Sequence, residues 1–374
     1  MQFEFFLPTK IIFGKKSLAR IQDVVDKFRV NRILIVTGRY SARENGNLDK
    51  LHGILKNYSR FVLDKVLPNP GLQTVIEGCQ YARLKKVELV IGLGGGSAMD
   101  AAKSIALMSP QNFSGALAFK KKENDFKQGL PYIAVPTTSG SGGEVTKWAS
   151  IWDHKKQVKA SLSHNLMYPD YCVVDPVLTL NMPKRITATT GLDALCHAIE
   201  AYWSKNSNPV SGGLSQMAAC LIIDNLQLAT KYPGILKYRE ALSKASLMAG
   251  MAFSQTKTTA CHAISYPLTA YYKIPHGLAC ALSLPHLFEF NRWKIKDKAA
   301  CIASWFKCKS TEQGNQKITS FIKSLNLPVS LREMNIKINN IEDIFYSSLQ
   351  SQQIQNNPRK ITKPDLLRVI NNLS

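Results

Sequence analysis

Glu88-Leu89-Val90-Ile91-Gly92-Leu93-Gly94-Gly95-Gly96-Ser97-Ala98-Met99-Asp100-Ala101-Ala102-Lys103 is the stretch that decides the fold. Its first half is continuously apolar, which predicts a strand buried on both faces, as in a parallel sheet. The glycines let the backbone turn sharply and let a phosphate approach the main chain. The helix beginning near Ser97 offers free N–H groups and the positive end of its dipole. Together these make a pyrophosphate cradle. The pattern departs from the usual dinucleotide fingerprint, because Ser97 stands where Gly is expected when counting from Gly92. It also lacks the Gly-Lys-Ser/Thr ending of a P-loop. A triple glycine also serves as a plain structural turn, so the assignment needs support from the rest of the chain.

That support lies on both sides. Arg32-Ile33-Leu34-Ile35-Val36-Thr37, ending at Gly38, reads as a second buried strand, and Tyr132-Ile133-Ala134-Val135 as a third. The third runs into Pro136-Thr137-Thr138-Ser139-Gly140-Ser141-Gly142-Gly143-Glu144, a small, hydroxyl-rich loop suited to hydrogen-bonding a nucleotide. Tyr171-Cys172-Val173-Val174-Asp175 is another buried strand, and Phe61-Val62-Leu63 a short one. Helices are expected at 16–28, 45–58 and 71–86, and strands within 146–162. After Pro176 the pattern changes to long amphipathic helices at 187–204, 209–230, 235–254, 258–272, 277–290, 295–307 and 314–325, with shorter ones to the end. The expected organisation is an α/β domain at 1–178, with a parallel sheet flanked by helices, followed by an all-α domain at 179–374. A ligand-binding cleft is expected between them.

The helical half carries the candidate chemistry. Asp193 and His197 lie four apart on an Ala-, Leu- and Ile-rich segment, so a helix stacks them on one face. His262 and His276, separated by a turn-forming stretch, are the candidates to complete the site. One oxygen and three nitrogens suit Fe(II) or Zn(II) and do not suit Ca or Mg. Spacing alone does not bring four side chains together, and a helical Asp–His pair is often no more than a satisfied core histidine.

Composition limits the alternatives. The 374 residues exceed one ordinary core, and 45% hydrophobic with 20% charged residues is a globular profile. No run of about 18 apolar residues is present, so no membrane partner is expected. Glu4 interrupts the apolar start, which does not resemble a signal peptide. The eight cysteines form no Cys-x-x-Cys and sit mostly in apolar runs, as reduced core residues of a cytoplasmic protein would. A net charge of +22 raises the question of nucleic acid. The basic residues are scattered, however, and no nucleic-acid motif is present. A solvated surface is the better reading, with some capacity to attract an anionic substrate.

Several motifs now align with one family. Phe6-Leu7-Pro8-Thr9-Lys10-Ile11-Ile12-Phe13-Gly14, Gly94-Gly95-Gly96-Ser97-x-x-Asp100-x-x-Lys103 and Pro136-Thr137-Thr138-x-Gly140-x-Gly142-x-Glu144-Val145-Thr146 come first. Thr190-Gly191-x-Asp193-Ala194-x-x-His197-Ala198-x-Glu200, His262-Ala263 and Pro275-His276-Gly277 follow. Over nearly its whole length the chain resembles the iron-containing (group III) alcohol dehydrogenases. The resemblance implies a dehydroquinate synthase-like fold and a metal held by Asp193, His197, His262 and His276, with Fe(II) first and Zn(II) second. It implies a nicotinamide cofactor contacted by Gly38, Arg39, Gly94, Gly95, Gly96, Ser97, Asp100, Thr137, Thr138, Ser141 and Lys159, and an oligomer, most simply a homodimer.

Two departures bear on chemistry. Family members that prefer NAD often carry Asp after the second core strand; here Gly38 and Arg39 stand there. Loss of that carboxylate removes repulsion against a 2′-phosphate and Arg39 offers a partner for it, which favours NADPH, with NADH tolerated. Many members carry His four residues after the third ligand, and here it is Tyr266, leaving protonation to Tyr266 acting through water or to solvent. The stretch Ser254–Thr269 resembles the phosphonoacetaldehyde reductase (hydroxyethylphosphonate dehydrogenase) subgroup. A Lys there costs desolvation unless an anion compensates it, so Lys257 either holds an anionic aldehyde, with Thr258 beside it, or is an ordinary helix-surface residue; the two readings carry equal weight. The rival readings are a general alcohol dehydrogenase for neutral aldehydes, a metal-dependent synthase related to dehydroquinate synthase, and a basic nucleic-acid-binding protein.

Overall fold

The computed structural model describes residues 2–111, 119, 125–154, 158–337, 348–349 and 351–373. The chain divides into two compact units, Leu7–Asn181 and Met182–Ser374 joined by Met1–Phe6.

In the first unit, six strands form one sheet: β1 (Lys10–Phe13), β2 (Arg32–Gly38), β3 (Ser59–Val66), β4 (Leu89–Gly94), β5 (Tyr132–Pro136) and β8 (Tyr171–Val174). Their order is β1-β8-β5-β4-β2-β3 and every neighbouring pair is parallel. Strands β4, β5 and β8 are buried at every residue, as their apolar runs require. The helices are α1 (Ile21–Asp26), α2 (Ser41–Glu44), α3 (Asn47–Ile54), α4 (Leu72–Leu84) and α5 (Gly96–Met108). The expected helix at 45–58 is divided: Gly46, at φ 64°, separates α2 from α3. The expected strands within 146–162 form an antiparallel hairpin of β6 (Trp148–Asp153) and β7 (Val158–Ser163). From β2 the chain moves outward to β3 and then returns to β4 on the other side of β2. The carboxyl ends of β2 and β4 therefore flank a topological switch point, where open α/β sheets bind ligands. Gly38 and Gly94 end those two strands.

The second unit is helical: α6 (Lys184–Trp203), α7 (Pro209–Lys231), α8 (Leu236–Thr256), α9 (Ala260–Tyr272), α10 (His276–Asn291), α11 (Lys296–Trp305) and α12 (Gly314–Ser324), then Gln352–Gln355 and Lys363–Asn371. Helix α6 is buried from Gly191 to Ala201. A helix that is buried all round must approach its neighbours closely, and glycine permits it: a Cβ on Gly277 would sit 2.0 Å from the Thr189 carbonyl oxygen. Phe6 joins this unit through paired hydrogen bonds with the Gln255 side chain, at 3.0 and 2.8 Å.

One buried cation fixes the start of α6. The Arg239 guanidinium donates to Thr187 Oγ1 at 2.7 Å, the Met182 carbonyl at 3.0 Å and the Pro233 carbonyl at 2.9 Å. Burial pushes its pKa down to about 10, so it is still charged at neutral pH. Arg239→Leu keeps bulk but strands these acceptors, and is expected to cost about 2–4 kcal/mol. A thermal melt of the variant checks this; an unchanged Tm would show that the bolt contributes nothing.

Candidate functional site

In the helical unit, α6, α9 and α10 bring four donors together. One ligand atom each from Asp193, His262, His276 and Cys280 lie within 4.8 Å of one another. His262 Nε2 and Asp193 Oδ1 are 3.6 Å apart, and His276 Nε2 and Asp193 Oδ1 are 3.8 Å apart. Metal–ligand bonds of ~2.0–2.3 Å in a tetrahedron separate neighbouring donors by roughly 3.3–3.8 Å. Asp193 Oδ1 and His262 Nε2 are buried without a hydrogen-bond partner. Such orphaned acceptors are costly unless something else binds them, and a divalent cation does. These residues fit the metal.

His197 does not belong to the four converging side chains. Its ring packs against Phe253, with centroids 4.1 Å apart at 12°, and against His262 at 4.4 Å and 28°. The four-residue spacing does place it on the face of Asp193, but this stacking holds its ring alongside the cluster. Burial and the neighbouring imidazoles push its pKa down to about 3, so it is neutral, and its Nδ1 has no hydrogen-bond partner.

Glu200, quoted in the sequence motif without a role, orients His262. It is fully buried and its Oε2 pairs with His262 Nδ1. Its Oε1 accepts from Thr259 Oγ1 at 2.6 Å and from the Cys261 amide at 2.7 Å. Burial opposes its charge, but His262 and these donors hold its pKa below the usual carboxylate value. A carboxylate on the far ring nitrogen fixes the imidazole with Nε2 toward the metal. Glu200 is seven residues, about two turns, after Asp193, and that spacing was the available signal. Burial also opposes charge on Asp193, yet the surrounding imidazoles hold its carboxyl well below the usual range. Cys280 was read as an ordinary core cysteine. Burial raises its pKa, and His262 and His276 more than offset this, bringing the thiol down to about 7.

Tyr266 lies beside the cluster. Its ring is parallel to His276 at 6.0 Å and 4°, and its hydroxyl accepts from Gln353 Nε2 at 3.3 Å. Lys257 takes the surface position, one of the two readings of the sequence. It is exposed, at the C-cap of α8 with φ 59° and ψ 171°. The chain leaves α8 there and re-enters a helix at Ala260, and Lys257 takes a positive-φ, extended-ψ conformation between them with its side chain exposed. Thr258 is buried, and its carbonyl accepts from Asn356 Nδ2 at 3.0 Å.

The glycine turn of the first unit meets the hydroxyl-rich loop. Gly94, at φ 154°, leaves β4, and its carbonyl accepts from the Thr137 amide at 2.9 Å. A Cβ on Gly95 would stand 3.1 Å from Thr138 Oγ1, and one on Gly96 3.0 Å from Ser141. No side chain caps the N-terminus of α5 and its first turn carries no acid. This cradle fits a pyrophosphate. Arg39 is exposed at the end of β2, its guanidinium 5.3 Å from the Tyr40 ring centroid. Ser97 Oγ accepts from the Asn69 amide at 3.3 Å. Asp100 is tied to the hairpin, Oδ2 accepting from the Ser150 amide at 2.9 Å, and Lys159 pairs opposite Trp152 in it.

A metal cluster in one unit and a dinucleotide cradle in the other define a metal- and nicotinamide-dependent oxidoreductase. Comparison with known proteins gives the family: "Iron-containing alcohol dehydrogenase" matches residues 8–176, and "Fe-containing alcohol dehydrogenase family, C-terminal" matches residues 187–373. The chain belongs to this family and is an NAD(P)-dependent, metal-containing alcohol dehydrogenase. It is 31% identical to the NADPH-dependent butanol dehydrogenase of Clostridium saccharobutylicum, covering 98% of this chain and 96% of that one. It is 36% identical to the 1-propanol dehydrogenase PduQ of Citrobacter freundii, over 77% of this chain and 73% of that one. The fold resembles sulfoacetaldehyde reductase of Bifidobacterium kashiwanohense, solved with NAD+, with a TM-score of 0.92 and 30% identity, covering 100% of this chain and 99% of that one.

Beneath the cradle lies a buried charge cluster. Lys103 Nζ donates to Thr146 Oγ1 at 2.9 Å and the Trp148 carbonyl at 3.1 Å. Burial pushes its pKa down to about 8, and pushes the nearby Glu144 carboxyl up to about 7. Below pH 4.5 Glu144 is protonated in both folded and unfolded chains. As pH rises toward 7 only the unfolded chain gives up that proton, so folding loses stability over this window. Glu144→Gln abolishes the titration. Measured against pH, the variant should gain up to about 3 kcal/mol relative to the parent between about pH 4.5 and 7; a constant difference would show that the carboxyl titrates normally.

Proposed function

We propose that this enzyme reduces a short aldehyde bearing an anionic group, phosphonoacetaldehyde being favoured, to the corresponding alcohol, 2-hydroxyethylphosphonate. The observation that supports this most is the full-length likeness to a sulfoacetaldehyde reductase, whose named substrate is a two-carbon aldehyde with an anionic end. Lys257, exposed three residues before the helix that carries His262, supplies the cation for that end. A second reading, reduction of neutral aldehydes, is favoured by the butanol and propanol dehydrogenase relatives.

When bound, the cation supplies Lewis acidity toward a carbonyl and the dihydronicotinamide supplies hydride. Asp193, His262 and His276 would hold the cation, with His197 on the same face of α6 as the fourth donor, and Glu200 fixes His262. The Gly94–Ser97 turn, with Thr137, Thr138 and Ser141, holds the pyrophosphate, and Asp100 and Lys159 complete the cofactor's polar surroundings. Arg39 at the end of β2 pairs with a 2′-phosphate and selects NADPH, with NADH tolerated. Tyr266, parallel to His276, passes a proton through water to the product oxygen. The functional form is a homodimer in the cytoplasm.

His276→Ala should lower kcat/KM by at least ~100-fold, since loss of transition-state stabilisation of ~3 kcal/mol corresponds to that factor; full retained turnover would refute the metal role. Lys257→Ala should raise KM for phosphonoacetaldehyde far more than for butyraldehyde. Equal effects on both would remove the anionic-substrate assignment and leave the neutral one.

A further inference from the structure

Thr259 stands at the N-cap of α9, where a Thr hydroxyl ordinarily accepts from an amide of its own helix. Here it makes no such bond. The Cys261 amide donates instead to Glu200 Oε1, from α6, at 2.7 Å. The Thr259 hydroxyl turns away and is held between two other side chains. It accepts from Trp203 Nε1 at 2.8 Å and donates to Glu200 Oε1 at 2.6 Å. Glu200 Oε2 faces His262 Nδ1. Glu200 and Trp203 are one turn apart on α6, and His262 lies in the first turn of α9. All four residues are at most 2% exposed, so the protein itself must satisfy their polar atoms.

We propose that Trp203 and Thr259 are positioning residues of the metal site: the indole fixes the direction of a hydrogen-bond chain Trp203–Thr259–Glu200–His262, and that direction decides which nitrogen of His262 is free for the cation. The inference rests on the metal reading given above and deepens it. The chain runs one way because an indole N–H and a backbone amide can only donate. Thr259 Oγ1 therefore accepts from Trp203, which leaves its single proton for Glu200. Glu200 Oε1 receives two donors, from Thr259 and Cys261, at the positive end of the α9 dipole. The carboxylate is thereby held as an anion, with Oε2 left as an acceptor toward His262. Nδ1 of His262 carries the proton and Nε2 the lone pair. Nε2 is the nitrogen that lies 3.6 Å from Asp193 Oδ1 and has no hydrogen-bond partner. Removing the Thr259 hydroxyl strands the indole N–H and takes one donor from Glu200, so the imidazole is held less firmly in the orientation that the cation needs.

The test is zinc affinity, measured on the full-length metal-free chain by competition with a chromogenic chelator, for the parent, Thr259→Val, Thr259→Ser and Trp203→Phe. Val keeps the shape of Thr without the hydroxyl, and Ser keeps the hydroxyl. Thr259→Val is expected to weaken zinc binding roughly 10–100-fold, the range for partners behind a metal ligand, and Thr259→Ser to bind zinc as the parent does. Trp203→Phe, which lets the hydroxyl turn, should weaken binding too. Combined with Thr259→Val it should add little, because both changes interrupt the same chain. Parent affinity in Thr259→Val would overturn the proposal. So would equal weakening in Thr259→Val and Thr259→Ser, which would make packing rather than the hydroxyl the cause. Parent affinity in Trp203→Phe, or fully additive losses in the double variant, would remove the fixed direction and overturn it as well. A parent that takes up no zinc would instead sink the metal reading itself. Should Thr259→Val not fold, the other two variants decide: weakening in Trp203→Phe alone supports the proposal, and weakening in both or in neither overturns it.

Discussion

Asp193 Oδ1, His197 Nδ1 and His262 Nε2 are polar atoms buried in an apolar helical core with no hydrogen-bond partner. Each such atom costs about 1–3 kcal/mol if nothing satisfies it. Much of the second unit serves to hold that arrangement. Gly277 lets α10 press against α6, Arg239 bolts down the first turns of α6, and Glu200 locks one imidazole in place. A core that spends this much packing on unsatisfied donors is built around a cation.

The first unit answers a different constraint, the need for a phosphate to reach bare backbone. At Gly95 and Gly96 a side chain would press on Thr138 and Ser141, so the two loops meet through main chain and hydroxyls alone. The free N-terminus of α5 stands at the end of β4, beside the end of β2, where the strand order reverses. The same point of the sheet carries Gly38 and Arg39, and the absence of a carboxylate there is what bears on the choice between the two nicotinamide cofactors.

The parallel sheet and the long helices were legible because continuous apolar runs and long amphipathic segments are strong signals. Strand β1 was not: its four residues are only partly covered and form the sheet edge. At the metal cluster, spacing along α6 correctly put Asp193 and His197 on one face but carried no information about ring rotation, which stacking on Phe253 decides. Cys280 was hidden because a cysteine in an apolar helix looks like core until α9 and α10 place it against two histidines. Lys257 stayed open between two readings because a helix end is invisible in a stretch of Thr and Lys; with the helix broken there its side chain faces water. The sheet and the long helices needed only apolar runs and periodicity; the site needed the packing of three helices.

The central claim is that one divalent cation satisfies the buried donors of α6, α9 and α10. Anomalous diffraction from crystals of the purified protein, collected on either side of the zinc and iron absorption edges, tests it most directly. The account predicts a single strong peak within ~2.0–2.3 Å of Asp193 Oδ1 and His262 Nε2. Density for water alone among these side chains, in protein prepared with metal present, would contradict it.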